Sequence, residues 1–269
     1  MTRVDTASGE GLRLVSRHRP DRVVPDQHGA WTFVALPVVL AVTLTGWFPL
    51  LPAAALAWVA AYPLSWAATG RLTARRPQRF DRALLAWSPI VLLAGIPVLV
   101  ARPWLVWVLL AYAVLWLVNL GYASERRERS LVNDLVLVAE CTLVLPVTVA
   151  IGVAEPGWTP PFGVLDERLV VPVLACVVAL IGSVLHVKSL IRERGNARFA
   201  AASRVFAVAG ILAMGVAVER TGGSLVAVLP FVVVAARAWL VRGGRWRPAA
   251  IGMVELAGLL LVVAGVALV

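Results

Sequence analysis

The stretch LVNDLVLVAECTLVLPVTVAIGVA, residues 131–154, is long and apolar enough to cross a lipid bilayer, yet it contains Asn133, Asp134 and Glu140. A spanning helix needs about 20 mostly apolar residues, because the hydrocarbon core is about 30 Å thick and a helix rises about 1.5 Å per residue. The stretch therefore predicts a membrane-spanning helix whose polar side chains need partners inside the protein.

Apolar segments of this length recur along the chain, which has 269 residues, 60% of them hydrophobic, and a mean hydropathy of +0.85. The breaks after the first and third segments are only a few residues long, which indicates antiparallel helical hairpins. The sequence predicts an all-α fold, a polytopic transmembrane helical bundle with about nine spans. The predicted spans are residues 30–48, 50–69, 83–101, 104–122, 132–153, 169–187, 204–219, 224–241 and 250–269.

The start of the chain differs from the rest. Residues 1–24 are polar and of mixed charge, and we interpret them as a flexible cytoplasmic tail. They contain neither the apolar segment nor the small-residue cleavage site of a signal peptide, so the first span is expected to direct insertion. Residues 25–269 are predicted to form a single transmembrane helical domain.

The basic residues indicate an orientation. Of the 25 Lys and Arg residues, 21 fall in the tail and in the segments after even-numbered spans, while only Arg102, Arg168 and Arg220 fall in the opposite connections. Cytoplasmic loops of membrane proteins are enriched in Lys and Arg, so the pattern predicts an N-in, C-out topology. A net charge of +10 could suggest a nucleic-acid partner, but the placement of the basic residues predicts contact with anionic membrane lipids and no nucleic acid.

The sequence contains no motif for a metal or a cofactor. Cys141 and Cys176 both fall within predicted spans, which favours small apolar roles over a disulfide framework. The three histidines are too far apart in sequence for a zinc-binding motif. We therefore expect neither a metal nor a cofactor.

Polar side chains run into the fifth and sixth spans from the same membrane face. Asn133 and Glu140 are seven residues apart and share one stripe of a helix, with Glu140 about 10 Å deeper. In the sixth span, His186 and Lys188 precede the end of the apolar run, and a continued helix would carry a cationic stripe through Arg192.

These two sets of side chains predict one polar cluster. We expect Asn133, Asp134 and Glu140 to line the mouth of a cavity open to the cytoplasm, opposite the cations of residues 186–198, because buried charges are least costly when they share a site. Several alternatives stay open. In one, Asp134 caps the start of its helix. In another, Glu140 pairs with Arg237 or another buried donor, and in a third, Arg237 pairs with Glu255 or lies near a membrane interface.

Three segments together resemble the YwiC-like family of bacterial integral membrane proteins. They are QHGAW (27–31), RERSLVNDL (127–135) and HVKSLIRERGN (186–196). The resemblance implies a multi-pass protein of the bacterial plasma membrane, and it implies no particular reaction. The motif residues that it singles out are His28, Asn133, Asp134, Lys188, Arg192, Glu193, Arg194 and Asn196. Glu140 and His186 complete the predicted ligand-binding set.

A weaker, architectural resemblance is to the UbiA-type intramembrane prenyltransferases, which also have nine spans and polar loops on the cytoplasmic side. That family holds Mg²⁺ with two Asp-rich motifs, after the second and sixth helices. Here the corresponding loops are basic and contain only Asp81 and Glu193 as carboxylates. A conventional metal–diphosphate site is therefore not expected, and Arg or Lys would hold an anionic group directly.

The sequence suggests three functional hypotheses and one further alternative. The leading hypothesis is a membrane protein with a cytoplasm-facing polar cavity for an anionic or amphipathic, lipid-like ligand. The second is a UbiA-like lipid-modifying transferase, with Asp134 or Glu140 as the acid–base group. The third is a small transporter, against which the sequence shows no repeat between its two halves. A structural or assembly role is a further alternative.

Overall fold

A computed structural model describes residues 23–25, 28–164, 166–241 and 248–267, and it describes only the backbone of His28, Val164, Pro248 and Ala249. Within those ranges the chain forms nine α-helices and no strand. The helices are α1 (His28–Thr45), α2 (Leu51–Thr73), α3 (Asp81–Ala101), α4 (Leu105–Ser124), α5 (Leu131–Val153), α6 (Val170–Ile191), α7 (Ala197–Arg220), α8 (Leu229–Leu240) and α9 (Pro248–Val266). The predicted all-α bundle is confirmed.

Six helices, α2 to α7, are long and apolar enough to cross a membrane. The apolar runs of the other three are shorter, at Gly29–Thr45, Leu225–Leu240 and Ala250–Val266. The prediction of nine spans and of an N-in orientation therefore stays a prediction. Residues 1–22 of the predicted tail lie outside the described residues.

Helices α5 and α6 pack against each other, and α1, α2, α4, α7 and α9 contact one or both of them. Helix α1 packs on α5 and α9, α7 packs on α6 and α8, and α9 also contacts α6 and α8. The main core lies between these helices and includes the fully buried Leu40, Leu145, Leu180, Met214 and Val262. Apolar packing of this kind fixes the positions of the polar side chains on α5 and α6.

Helices α2, α3 and α4 form the more exposed side of the bundle. Helix α2 packs mainly on α3, and α4 contacts α5 and α2. None of the apolar run of α4 is buried within the protein. The exposed apolar side chains of α4, such as Leu109, Leu110 and Leu117, are suited to contact with lipid tails.

Short connections join the helices at one end of the bundle, where α2, α4 and α6 end and α3, α5 and α7 begin. We call this the polar end. Gly46, in the α1–α2 connection at the opposite end, has a φ of +65°, which a residue without a Cβ adopts at no steric cost. Gly195, between α6 and α7 at the polar end, likewise has a φ of +87°.

Candidate functional site

Asp134 and Lys188 form an ion pair across the interface of α5 and α6. Lys188 Nζ lies 2.6 Å from Asp134 Oδ2 and also donates a 2.7 Å hydrogen bond to the backbone carbonyl of Arg129. The Lys188 side chain is only 9% exposed, whereas that of Asp134 is 28% exposed. Lys188 thus links the start of α5 and the loop before it to the end of α6, and the predicted contact between these two residues is confirmed.

The start of α5 is capped by a residue other than Asp134. Ser130 is the N-cap, and its hydroxyl accepts a 3.1 Å hydrogen bond from the backbone N–H of Asn133. The Asn133 amide donates to the carbonyl of Glu128 at 2.9 Å, while its side-chain oxygen has no hydrogen-bond partner among the described residues. The N-cap predicted at Asp134 is thus Ser130, while Asp134 lies in the first turn of α5, where a carboxylate favours the helix dipole, and it pairs with Lys188.

Glu140 belongs to a different environment, between α5 and α4. Its Oε1 accepts a 2.8 Å hydrogen bond from the side-chain amide of Asn119, and its backbone carbonyl accepts a 2.7 Å hydrogen bond from the Tyr112 hydroxyl. Six residues separate Asp134 from Glu140, which turns a helix by about 240° at 3.6 residues per turn. The two carboxylates therefore face different neighbours. The prediction that Glu140 joins His186, Lys188 or Arg192 is wrong.

A buried triad joins α6, α8 and α9. Arg237 Nη1 lies 2.8 Å from Glu255 Oε2, and His186 Nε2 lies 3.9 Å from Glu255 Oε1. All three side chains are less than one-tenth exposed. The alternative in which Arg237 pairs with Glu255 is confirmed. The alternative in which Glu140 pairs with Arg237 or another buried donor holds for the second donor, because Asn119 is its partner.

A small pocket with a volume of about 20 Å³ lies beside the triad, between α6, α7 and α8. A space of that size holds about one water molecule. His186, Arg237 and the buried Ser203 contribute its polar lining, whereas Val178 and Phe206 belong to its apolar lining. The pocket is therefore amphipathic.

The segment after α6 does not continue the helix. Helix α6 ends at Ile191, and α7 begins at Ala197 after Asn196, whose side-chain oxygen accepts a 3.1 Å hydrogen bond from the Phe199 N–H. The Asn196 amide also donates to Glu193 Oε2 at 2.9 Å. Because Gly195 adopts a positive φ, the backbone turns here. The predicted cationic stripe is wrong, and both Arg192 and Arg194 are exposed.

The predicted residues thus fall into separate groups instead of one cluster. Asp134 and Lys188 meet, Glu140 lies with Asn119, and His186 lies with Arg237 and Glu255. The side chain of His28 is outside the described residues. Sequence reasoning missed Asn119, although an amide inside an apolar run is a signal for a polar partner nearby. It also missed Ser203, which nothing in the sequence marked.

The family model described as "YwiC-like protein" matches residues 24–149 of this chain. "Uncharacterized protein YwiC" of Bacillus subtilis (strain 168) is 28% identical over 240 residues, which cover 87% of this chain and 92% of that protein. The predicted resemblance to the YwiC-like family is confirmed. The family match includes Asn119, Asp134 and Glu140, whereas Lys188 and Arg237 lie beyond it. No solved structure matches the chain, and the resemblance to UbiA-type proteins stays a prediction.

Proposed function

We propose that this YwiC-like protein resides in the bacterial plasma membrane and binds an anionic or amphipathic, lipid-like ligand at the polar end of its bundle, which faces the cytoplasm. The observation that carries the proposal is the amphipathic lining of the pocket between α6, α7 and α8. His186, Arg237 and Ser203 offer hydrogen-bond donors, and Phe206 and Val178 offer an apolar surface. A lipid has the same two parts.

The surroundings of the pocket favour a negatively charged group. Arg192 and Arg198 are exposed at the end of α6 and the start of α7. Exposed cations near a membrane surface attract anionic headgroups by about 1 kcal/mol each. In this proposal, these residues and Arg194 draw the headgroup to the protein, while Asn133, Asp134, Glu193 and Asn196 hold the connections around it in place.

Entry of a ligand requires the pocket to widen. The observed volume of about 20 Å³ has no room for a headgroup, so α7 has to move away from α8. Arg237 is already paired with Glu255, and Lys188 with Asp134. An incoming anion therefore meets His186 and Ser203 first, and gains Arg237 only by competing with Glu255.

Mass spectrometry of the protein purified in native lipid tests the proposal. We expect one class of lipid or anionic metabolite to be enriched over the bulk membrane. Ala207 lines the pocket, so Ala207→Phe should fill it and abolish the enrichment. Ala209 is exposed two residues further along α7, so Ala209→Phe is the matched control and should retain it. Enrichment that survives in both folded variants, or its absence in the wild type, would contradict the proposal.

A further inference from the structure

Glu140 is a carboxylate inside a predicted membrane span, and among the described residues it has no cationic partner. It lies nine residues into α5, about 13 Å from the start of the helix at the rise per residue of an α-helix. Among the described residues, no Lys, Arg or His lies within ion-pairing distance of its carboxylate. Its side-chain partner is the neutral amide of Asn119. Ionisable residues at such a depth carry a cost in free energy and are usually functional.

The groups that surround Glu140 are uncharged or weakly acidic. Tyr112 of α4 and Cys141, its neighbour on α5, interact with it electrostatically, and Tyr62 of α2 and Cys176 of α6 interact with Cys141. None of them supplies a positive charge. The other intramembrane carboxylate, Glu255, differs in this respect, because the Arg237 guanidinium lies 2.8 Å away.

Unpartnered amide oxygens lie between Glu140 and the polar end. The side-chain oxygen of Asn119 is buried and has no partner among the described residues, and the same holds for Asn133. Asn119 lies five residues before the end of α4, and Asn133 lies two turns before Glu140 on the same stripe of α5. Buried polar atoms of this kind are commonly satisfied by water. A short hydrated route from the polar end would satisfy both.

We infer that Glu140 is a proton-binding site of the membrane bundle, supplied with protons by water at the polar end through the region of Asn119 and Asn133. A hydronium ion in that water gives up a proton, which forms an O–H bond on the carboxylate and converts it to a neutral carboxylic acid, and the hydronium ion becomes water. Release reverses the step and returns the proton to the water. The inference concerns α4 and α5 and is independent of the ligand pocket between α6, α7 and α8.

Infrared spectroscopy of the protein in lipid nanodiscs tests the inference, because a protonated carboxyl group has a C=O stretching band that an ionised carboxylate lacks. We expect this band at neutral pH, with a shift in D₂O. Glu140→Gln should remove it. Glu255→Gln, at an equally intramembrane but ion-paired carboxylate, should leave it unchanged.

Asn119→Ala provides a second readout that does not depend on removing the acid. Loss of the amide donor should shift the C=O band to higher frequency, and loss of the polar route should slow its exchange in D₂O. A wild-type spectrum without a protonated carboxyl band would overturn the inference. So would a band that persists in folded Glu140→Gln protein.

Discussion

Lys188 on α6 and Asp134 on α5 hold the two central helices together at the polar end, with Nζ 2.6 Å from Oδ2. The ammonium group also binds the carbonyl of Arg129, which ties the α4–α5 connection to the same point. Because the Lys188 side chain is almost fully buried, removing the Asp134 carboxylate leaves the positive charge of Lys188 unpaired where water cannot reach it freely.

Asp134→Ala should therefore destabilise the protein by about 1–3 kcal/mol, between the values for exposed and fully buried pairs. The exposed pair of Arg71 and Asp81, in which Nε lies 2.8 Å from Oδ1, is the control. Asp81→Ala should cost about 1 kcal/mol or less, because both side chains are over two-fifths exposed. Thermal unfolding in detergent measures both. Equal losses would show that burial of Lys188 does not matter.

The pair of Arg237 and Glu255 should show the signature of a buried ion pair. Glu255→Leu alone leaves Arg237 buried and unpaired, and the expected loss is about 3–5 kcal/mol. The double variant Arg237→Met with Glu255→Leu removes both charges and should recover most of that stability. A double-mutant cycle on unfolding free energies measures the coupling. Additive losses would mean that the two side chains do not depend on each other.

The boundaries of the helices followed closely from the sequence where apolar runs end sharply. The fifth span was predicted at 132–153, and α5 covers Leu131–Val153. Helix α7 instead begins at Ala197, seven residues before the predicted span. Its first turns include the charged Arg198, which lowers the hydropathy there, but the cap Asn196 starts the helix earlier. Capping hydrogen bonds extend a helix into polar sequence that hydropathy does not count.

The partners of the polar side chains were less predictable. The stripe on α5 placed Asn133 and Glu140 on one face, but the sequence does not say which neighbouring helix that face meets. The structure places α4 against Glu140 and α6 against Asp134. The rotation of α5 about its axis, and the helix that each of its faces meets, depend on apolar packing in the core, such as that of Leu145 and Leu180. Periodicity in the sequence does not specify that packing.

Gly70 has no side chain, which allows the Phe80 ring of the short 3-10 helix Pro77–Phe80 to pack closely against α2. A Cβ added at Gly70 would overlap the Phe80 ring, so Gly70→Ala should destabilise the protein by about 1–3 kcal/mol. Gly215 in α7 has nothing within 4 Å of an added Cβ. Gly215→Ala should therefore stabilise by about 0.5–1 kcal/mol through helix propensity. Unfolding in detergent compares the two, and a neutral Gly70→Ala would show that Phe80 is free to move.

The orientation of the bundle can be tested with single cysteines, since the native Cys141 and Cys176 are buried. Gln78 lies between α2 and α3, on the side rich in arginine, and Thr159 lies between α5 and α6; both are exposed. Because cytoplasmic loops are enriched in Lys and Arg, a membrane-impermeant maleimide applied to intact cells should label Thr159→Cys and leave Gln78→Cys unlabelled. Permeabilised cells are the control and should allow labelling at both positions. Labelling of Gln78→Cys alone in intact cells would reverse the orientation and place Asp134, Lys188 and the pocket between α6, α7 and α8 at the outer face.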